Sequence, residues 1–299
     1  MRFMYQYPET TGTDDDMLAA GPVAELAAAA ESAGWDGFAF TEHPVPGARW
    51  LAAGGHQTLD PFVALGHAAA TTRHLRLLTY LAVAPYRNPF LLAKAAATVD
   101  LLSNGRFVLG LGTGYLKAEF HALGVDFDER NALFDEALEV LPLHWSGETF
   151  SYRGRHFDAR DVIGRPRPVQ NPIPIWIGGN STLTLQRVAE RAQGWMPLTS
   201  HVDISATTRT PRIGSSDELA ERIGALRSRT GARSAPVDIA VAYTDPTIAD
   251  VDADIARHRH ALSALAETGA TWLIVPGPPG RYPATKDFIE TFAKRYINP

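Results

Sequence analysis

Residues 75–111, LRLLTYLAVAPYRNPFLLAKAAATVDLLSNGRFVLGL, hold one complete strand–helix–strand unit. Leu75 to Val83 and Phe107 to Leu111 are short apolar runs of strand type, whereas the apolar residues of Pro89 to Leu102 return every three or four positions. Asn104-Gly105 then supplies a pair that tolerates the left-handed conformation of a helix end. The same alternation recurs on both sides of this unit. It predicts further strands at Arg2 to Tyr7, Gly37 to Thr41, Ile173 to Ile177, Trp195 to Leu198, Val237 to Ala242 and Thr271 to Val275, eight in all with the two above. Asp60-Pro61 reads as an N-cap followed by proline at the first helical position. Phe134, Leu138 and Leu141 mark one helical face, Leu219, Ile223 and Leu226 a second, and Val251, Ile255, His258, Leu262 and Leu265 a third.

Eight such units predict an α/β fold, a (β/α)8 TIM barrel with loop insertions, in one domain spanning residues 1–299. The usual length of that fold is ~250 residues, which leaves a surplus of about fifty. Residues 44–59, 145–171 and 200–214, rich in Gly, Pro, Ser, Thr or Arg and without helical periodicity, are the segments expected to hold it. The middle one alternates Phe150, Tyr152 and His156-Phe157 around Arg153-Gly154 and reads as a β-hairpin before the fifth barrel strand. An open doubly wound sheet shows the same alternation, but no strand here runs into a GxGxxG turn with a downstream acid.

The composition, 45% hydrophobic and 20% charged, is that of a globular chain long enough to bury a large core. There is no cysteine, which excludes a thiol nucleophile, a disulfide scaffold and thiolate metal sites. No HExxH or clustered His/Asp/Glu spacing suggests a metal, and no GxSxG elbow suggests a serine hydrolase. A formal charge of −5 gives no whole-molecule attraction to nucleic acid or anionic lipid. No apolar run approaches the ~20 residues of a membrane span, and Arg2 to Tyr7 reads as a strand rather than a leader, so a cytoplasmic protein is expected.

Active sites of βα barrels lie where strands end and loops begin. Glu42 and His43 follow the second strand there, a carboxylate beside an imidazole that can move a proton near neutrality. The turn Gly110 to Tyr115 follows the fourth strand, with Gly112 and Thr113 able to approach a ligand and Tyr115 to present a hydroxyl. Gly178, Gly179, Asn180 and Ser181 follow the fifth and open a helix, an arrangement suited to a phosphate or simply to a capped turn. The third strand ends in Leu81-Ala82-Val83-Ala84, where small residues leave room for a flat ring against the wall. Arg87 could serve an anion or pin its own loop. Trp50, His56 and His201 are the candidates in the insertions for contact with a small-molecule substrate.

Taken together, Gly34-Trp35-Asp36-Gly37 with Thr41-Glu42-His43, Gly55 to Pro61, Ala84 to Pro89, Leu101 to Arg106, Gly110 to Tyr115, Gly124 to Arg130 and Pro174 to Ser181 resemble the bacterial-luciferase-like oxidoreductases. The likeness is to the branch that uses the deazaflavin coenzyme F420, and it covers roughly the first two hundred residues. The resemblance implies a (β/α)8 barrel with F420, or alternatively FMN, in its mouth. The ring would lie near the third strand, the phosphate at Gly178 to Ser181, and His43 at the ring's reactive edge with Glu42 beside it. It also implies a homodimer, and a non-proline cis peptide near Leu81-Ala82 or Ala82-Val83. One branch carries a glutamate proton donor after the Gly-Thr-Gly turn. Tyr115 stands there in this chain, and a phenol with a pKa near ten is a weaker acid at neutral pH.

The expected function is therefore F420-dependent hydride transfer to or from a small organic substrate, with His43 or Tyr115 handling the proton. An FMNH2-dependent monooxygenase is the alternative among enzymes, and a non-catalytic flavin-binding barrel is the rival from another class. Basic side chains at the pocket exit, with Arg281 and Lys117 as candidates, would favour the acidic tail of F420.

Overall fold

A computed structural model describes residues 1–12, 14–199, 205–231, 233 and 235–298 of the chain. All eight predicted barrel strands form: β1 (Arg2–Gln6), β2 (Gly37–Phe40), β3 (Arg76–Thr79), β4 (Phe107–Gly112), β5 (Ile175–Gly178), β6 (Gly194–Met196), β7 (Asp238–Ala242) and β8 (Trp272–Pro276). They are parallel and pair in chain order, β8 pairs with β1, and the β4–β5 pairing completes a closed barrel. Around it lie α1 (Val23–Ala33), α2 (Pro61–Thr71), α3 (Pro89–Leu102), α4 (Arg130–Ser146), α5 (Thr182–Arg191), α6 (Ser216–Thr230), α7 (Ile255–Glu267) and α8 (Ala284–Phe292). This is the (β/α)8 TIM barrel expected from the alternation of patterns.

Local signals fix the element ends. Asp60 Oδ1 accepts the N–H groups of Phe62 and Val63 at 3.0 Å each, starting α2 where the Asp-Pro pair predicted it. Ser215 accepts the Glu218 N–H at 3.1 Å at the start of α6. Successive strand residues face opposite sides. Met4, Ala39, Leu78, Val108, Trp176, Met196, Ala240, Trp272 and Ile274 accordingly fill the barrel interior, while Tyr5, Phe38, Leu77 and Leu109 pack outward into the helix layer. Trp176 and Trp272 meet edge to face at 5.6 Å inside the barrel, so the lumen is packed and the cavity that matters lies at its mouth.

The third strand departs from its predicted continuous run over Leu75 to Val83. Thr79 ends β3, and its hydroxyl takes a place in the ladder, donating to Gly110 O at 2.8 Å and accepting from Gly110 N at 2.9 Å. Gly110 must be glycine for this approach, because a Cβ there would lie 1.9 Å from Thr79 O. The chain then leaves the sheet and returns as Ala82–Val83, paired with Leu111 and Gly112 of β4. The non-proline cis bond falls at Tyr80–Leu81, one residue before the earlier of the two expected positions.

The first two insertions are structured, and residues 200–204 of the third lie outside the described residues. Residues 44–59 contain a short helix, Ala48–Ala52, and His56–Gln57, which pairs antiparallel with Thr10–Thr11. The predicted hairpin forms from Thr149–Arg153 and Asp158–Ile163. It is tied to α4 on the outside of the barrel by His156, whose Nδ1 lies 2.5 Å from Glu136 and whose Nε2 lies 3.1 Å from Glu129. No helix among the described residues is long and apolar enough to cross a membrane.

Candidate active site

The loops after β1, β2, β3, β4, β5 and β6 converge on a cavity of about 270 Å³ at the C-terminal ends of the strands. Its wall includes Glu42, His43, His56, Leu81, Val83, Gly112, Thr113, Tyr115, Gly178, Gly179 and Ser181, all candidates from the sequence. Glu9, Thr184, Met196, Leu198 and Arg209 also line it and were not foreseen. His201 lies outside the described residues.

His43 is the centre of this arrangement. Its backbone N–H donates to Thr58 Oγ1 at 3.1 Å. Its ring lies 4.7 Å from both Trp50 and His56 and 6.1 Å from Tyr115, between ring centroids. Nδ1 is 3.3 Å from each oxygen of Glu119, a carboxylate on the short helix Lys117–Ala122 that also accepts the Tyr86 hydroxyl at 2.7 Å. Trp50 does not line the cavity itself; it backs His43 and His56 from behind.

Glu42, next to His43 in the chain, spends its charge elsewhere. Oε2 accepts the Val83 N–H at 2.7 Å and Arg87 Nη1 at 2.8 Å, while Oε1 accepts Arg87 Nη2. Arg87 also reaches Asp60 at 3.3 Å and lies over the Phe62 ring, so it pins the loop rather than serving a ligand. Burial works to lower the Arg87 pKa, but the bonds and charges of Glu42 and Asp60 outweigh it and hold the pKa above its ordinary value. The Glu42–Arg87 pair thereby ties the loop after β2 to the residues that follow β3.

The remaining polar groups are tuned by burial. Burial, then the charges of Glu119 and Glu9, push the Tyr115 phenol up to about 12, so it remains a hydrogen-bond donor and gives up its proton poorly. His56 Nε2 is 3.2 Å from Glu9 Oε1. Burial and the neighbouring His43 push His56 down to about 4, and burial raises the Glu9 carboxyl above its usual range. With His56 neutral at pH 7, this contact is not an ion pair. Glu9 follows β1, so the strand-end rule that selected Glu42 would have selected it too. Glu119, four residues past Tyr115 on a helix, carried no such signal.

Two cofactor candidates need correction. Ala82 is fully buried with its side chain in the outer core, because alternation along the short Ala82–Val83 strand turns only Val83 to the cavity. Asn180 is 0% exposed and acts as a strut. Its Nδ2 donates to Leu198 O and Pro211 O, its Oδ1 accepts the Leu198 N–H, and its own N–H goes to Thr210 Oγ1 at 2.7 Å. The Gly179 N–H is likewise committed to Met196 O. What remains open to an anion is the N-terminus of α5, where Ser181 caps the helix by accepting the Thr184 N–H at 3.1 Å and both side chains face the cavity.

A basic cluster adjoins that end. Arg130, Lys117 and Arg209 surround the Phe127 ring at 4.0, 5.1 and 5.1 Å from its centroid. Burial, then the charge of Arg209, lowers the Arg130 pKa, a sign that like charges are held close together. Arg281, in contrast, faces Asp16 at 3.5 Å and does not line the cavity.

A sequence model described as "luciferase-like monooxygenase" matches residues 1–286. The chain belongs to that family. An uncharacterised Mycobacterium tuberculosis member is 36% identical over 149 residues, 50% of this chain and 53% of that one. The match thus spans about half the length of that curated relative. An FMNH2-dependent dimethylsulfone monooxygenase of Pseudomonas putida is 29% identical over 175 residues, 57% of this chain and 46% of the relative. Among solved structures, the monooxygenase RslO1 from Streptomyces bottropensis superposes with a TM-score of 0.80 at 22% identity, covering 100% of this chain and 99% of that one. The coenzyme F420 dependent tetrahydromethanopterin reductase of Methanopyrus kandleri gives 0.71 at 17% identity, covering 99% and 98%. The luciferase-like fold thus includes both F420- and FMN-dependent proteins among the neighbours of this chain.

Proposed function

We propose that this luciferase-like protein is an oxidoreductase that uses coenzyme F420 for hydride transfer to or from a small organic substrate in the barrel mouth. The observation that carries this reading is the single chamber shared by His43, the Leu81–Val83 wall and the Ser181–Thr184 end of α5.

The residues present suit such a group. The chamber, about 270 Å³, lies just below the ~300–1,000 Å³ typical of small-molecule sites, which suits a ring held inside with its tail outside. Gly112 and Gly178 flank Leu81 so closely that a Cβ would lie 2.3 or 2.2 Å from its methyl carbons. The two glycines therefore leave the space that the Leu81 side chain fills, and Leu81 itself forms that part of the cavity wall. Leu81 and Val83 would hold the ring, Ser181 and Thr184 the phosphate, and Arg209 with Lys117 and Arg130 the acidic tail. When bound, the cofactor supplies the hydride chemistry.

The chain's own residues provide position and protons. His43 exchanges a proton at Nε2, the ring nitrogen not directed at Glu119. Tyr115 keeps its proton and orients a substrate oxygen by donating a hydrogen bond. Trp50 and His56 pack against the His43 ring, each with its centroid 4.7 Å away, and hold the imidazole in place.

The second reading, an FMNH2-dependent monooxygenase, is favoured by the Pseudomonas putida relative. Titrating the purified protein with F420 and FMN, each oxidised and reduced, separates the two. F420 is expected to bind at least about tenfold more tightly, a difference of ~1.4 kcal/mol. A preference for FMN would transfer the reading to the monooxygenase. Tight binding without turnover of any carbonyl, alcohol or enone would favour a non-catalytic barrel, and binding of neither cofactor would overturn the proposal.

A further inference from the structure

Glu119 is 1% exposed, with its carboxylate in contact with His43 Nδ1 and the Tyr86 hydroxyl. Among the described residues no Lys or Arg pairs with it. A buried carboxylate without a cation persists only where hydrogen-bond donors take the place of water. Tyr86 is one such donor. Burial, and after it the bond to Glu119, raise its pKa far above that of a free phenol, so its hydrogen stays on the hydroxyl and points at Glu119. The second donor has to be Nδ1–H of His43, because a bare Nδ1 would set a lone pair against the carboxylate at 3.3 Å. The ring is hemmed in by Trp50 on one side and His56 on another, which hinders a flip that would exchange its nitrogens.

We infer that Glu119 is a positioning residue that holds His43 as the Nδ1–H tautomer, with Tyr86 bracing the carboxylate, so that Nε2 is the nitrogen that exchanges protons in the cavity. An imidazole free to choose would put its proton on either nitrogen, and only a base with a bare Nε2 can accept one there. The role in turnover rests on the reading of His43 given above. The tautomer does not, and can be read in the protein without cofactor.

The test is long-range ¹H–¹⁵N NMR of the full-length protein with ¹⁵N-labelled histidine, the His43 signals being identified by their loss in His43→Asn. In the wild type at alkaline pH, Nδ1 should show the shift of a protonated nitrogen and Nε2 that of a bare one. Glu119→Ala should lose this preference, and Tyr86→Phe, which keeps the carboxylate, should retain it. With the loaded enzyme, Glu119→Ala should cut kcat at least about tenfold with KM changed less than about twofold. A wild-type spectrum with the proton on Nε2 would overturn the inference even if Glu119→Ala failed to fold. Loss of the preference in Tyr86→Phe would overturn the assignment to Glu119. Full turnover in His43→Asn would instead remove the function given to His43, while an Nδ1–H signal in the wild type would still stand for Glu119.

Discussion

The loops after β2 and β4 each bring a buried carboxylate to the barrel mouth, and the two do opposite things. Glu42 is the chain neighbour of His43, yet it is consumed by Arg87 and the Val83 N–H. Glu119 is 76 residues away from His43 in the chain and is the carboxylate that engages its ring. Adjacent residues in an extended segment project to opposite sides, so covalent proximity works against side-chain contact there. Glu42 therefore fastens one loop to another, while a residue on the far side of the mouth governs the imidazole.

That contrast can be broken at either end. The largest effect is expected at Glu42→Ala. It leaves the Arg87 guanidinium half-buried with only Asp60 in reach and removes the acceptor of the Val83 N–H. Loss of one partner of a buried pair costs about 3–5 kcal/mol, which urea unfolding would register as a large fall in the midpoint. A change below about 1 kcal/mol would place this pair with ordinary surface ion pairs instead.

A smaller effect concerns the histidine beside His43. The folded-state pKa of His56, about 4, is below its unfolded value of 6.5. Between these values the unfolded chain binds more protons, so stability rises with pH across the window and falls on acidification. Moving from pH 7 to pH 5 should cost the wild type about 2 kcal/mol more than it costs His56→Gln. Equal losses in the two proteins would mean that His56 titrates freely and that the mouth is wetter than its packing suggests.

Much of this architecture was legible in the sequence because it depends on patterns with a physical period. The eight strands, the capped start of α2 at Asp60, the stop of α3 near Asn104-Gly105 and the hairpin all follow from alternation, caps and turn chemistry. The break after Thr79 was not legible, because it depends on a side chain replacing backbone in the ladder and on Gly110 leaving room for it. At the site, the strand-end rule found His43, Tyr115 and Ser181 but could not say which way each neighbour would turn. Asn180 looked like part of a cradle and is a strut, because a buried amide has to satisfy its own hydrogen bonds before it can serve a ligand. Glu119 and Arg209 stand in segments without strand-end signals, and only folding brings them to the chamber.

The central claim is that this chamber holds a tricyclic redox cofactor by its ring at Leu81 and Val83 and by its phosphate at the start of α5. A structure of the protein with reduced F420 tests it most directly. The account predicts the ring against Leu81 and Val83 with its reactive edge toward His43, the phosphate bonded to Ser181 or Thr184, and the acidic tail running past Arg209 toward Lys117 and Arg130. A cofactor bound outside this chamber, or one with its phosphate away from α5 and its ring out of reach of His43, would contradict it.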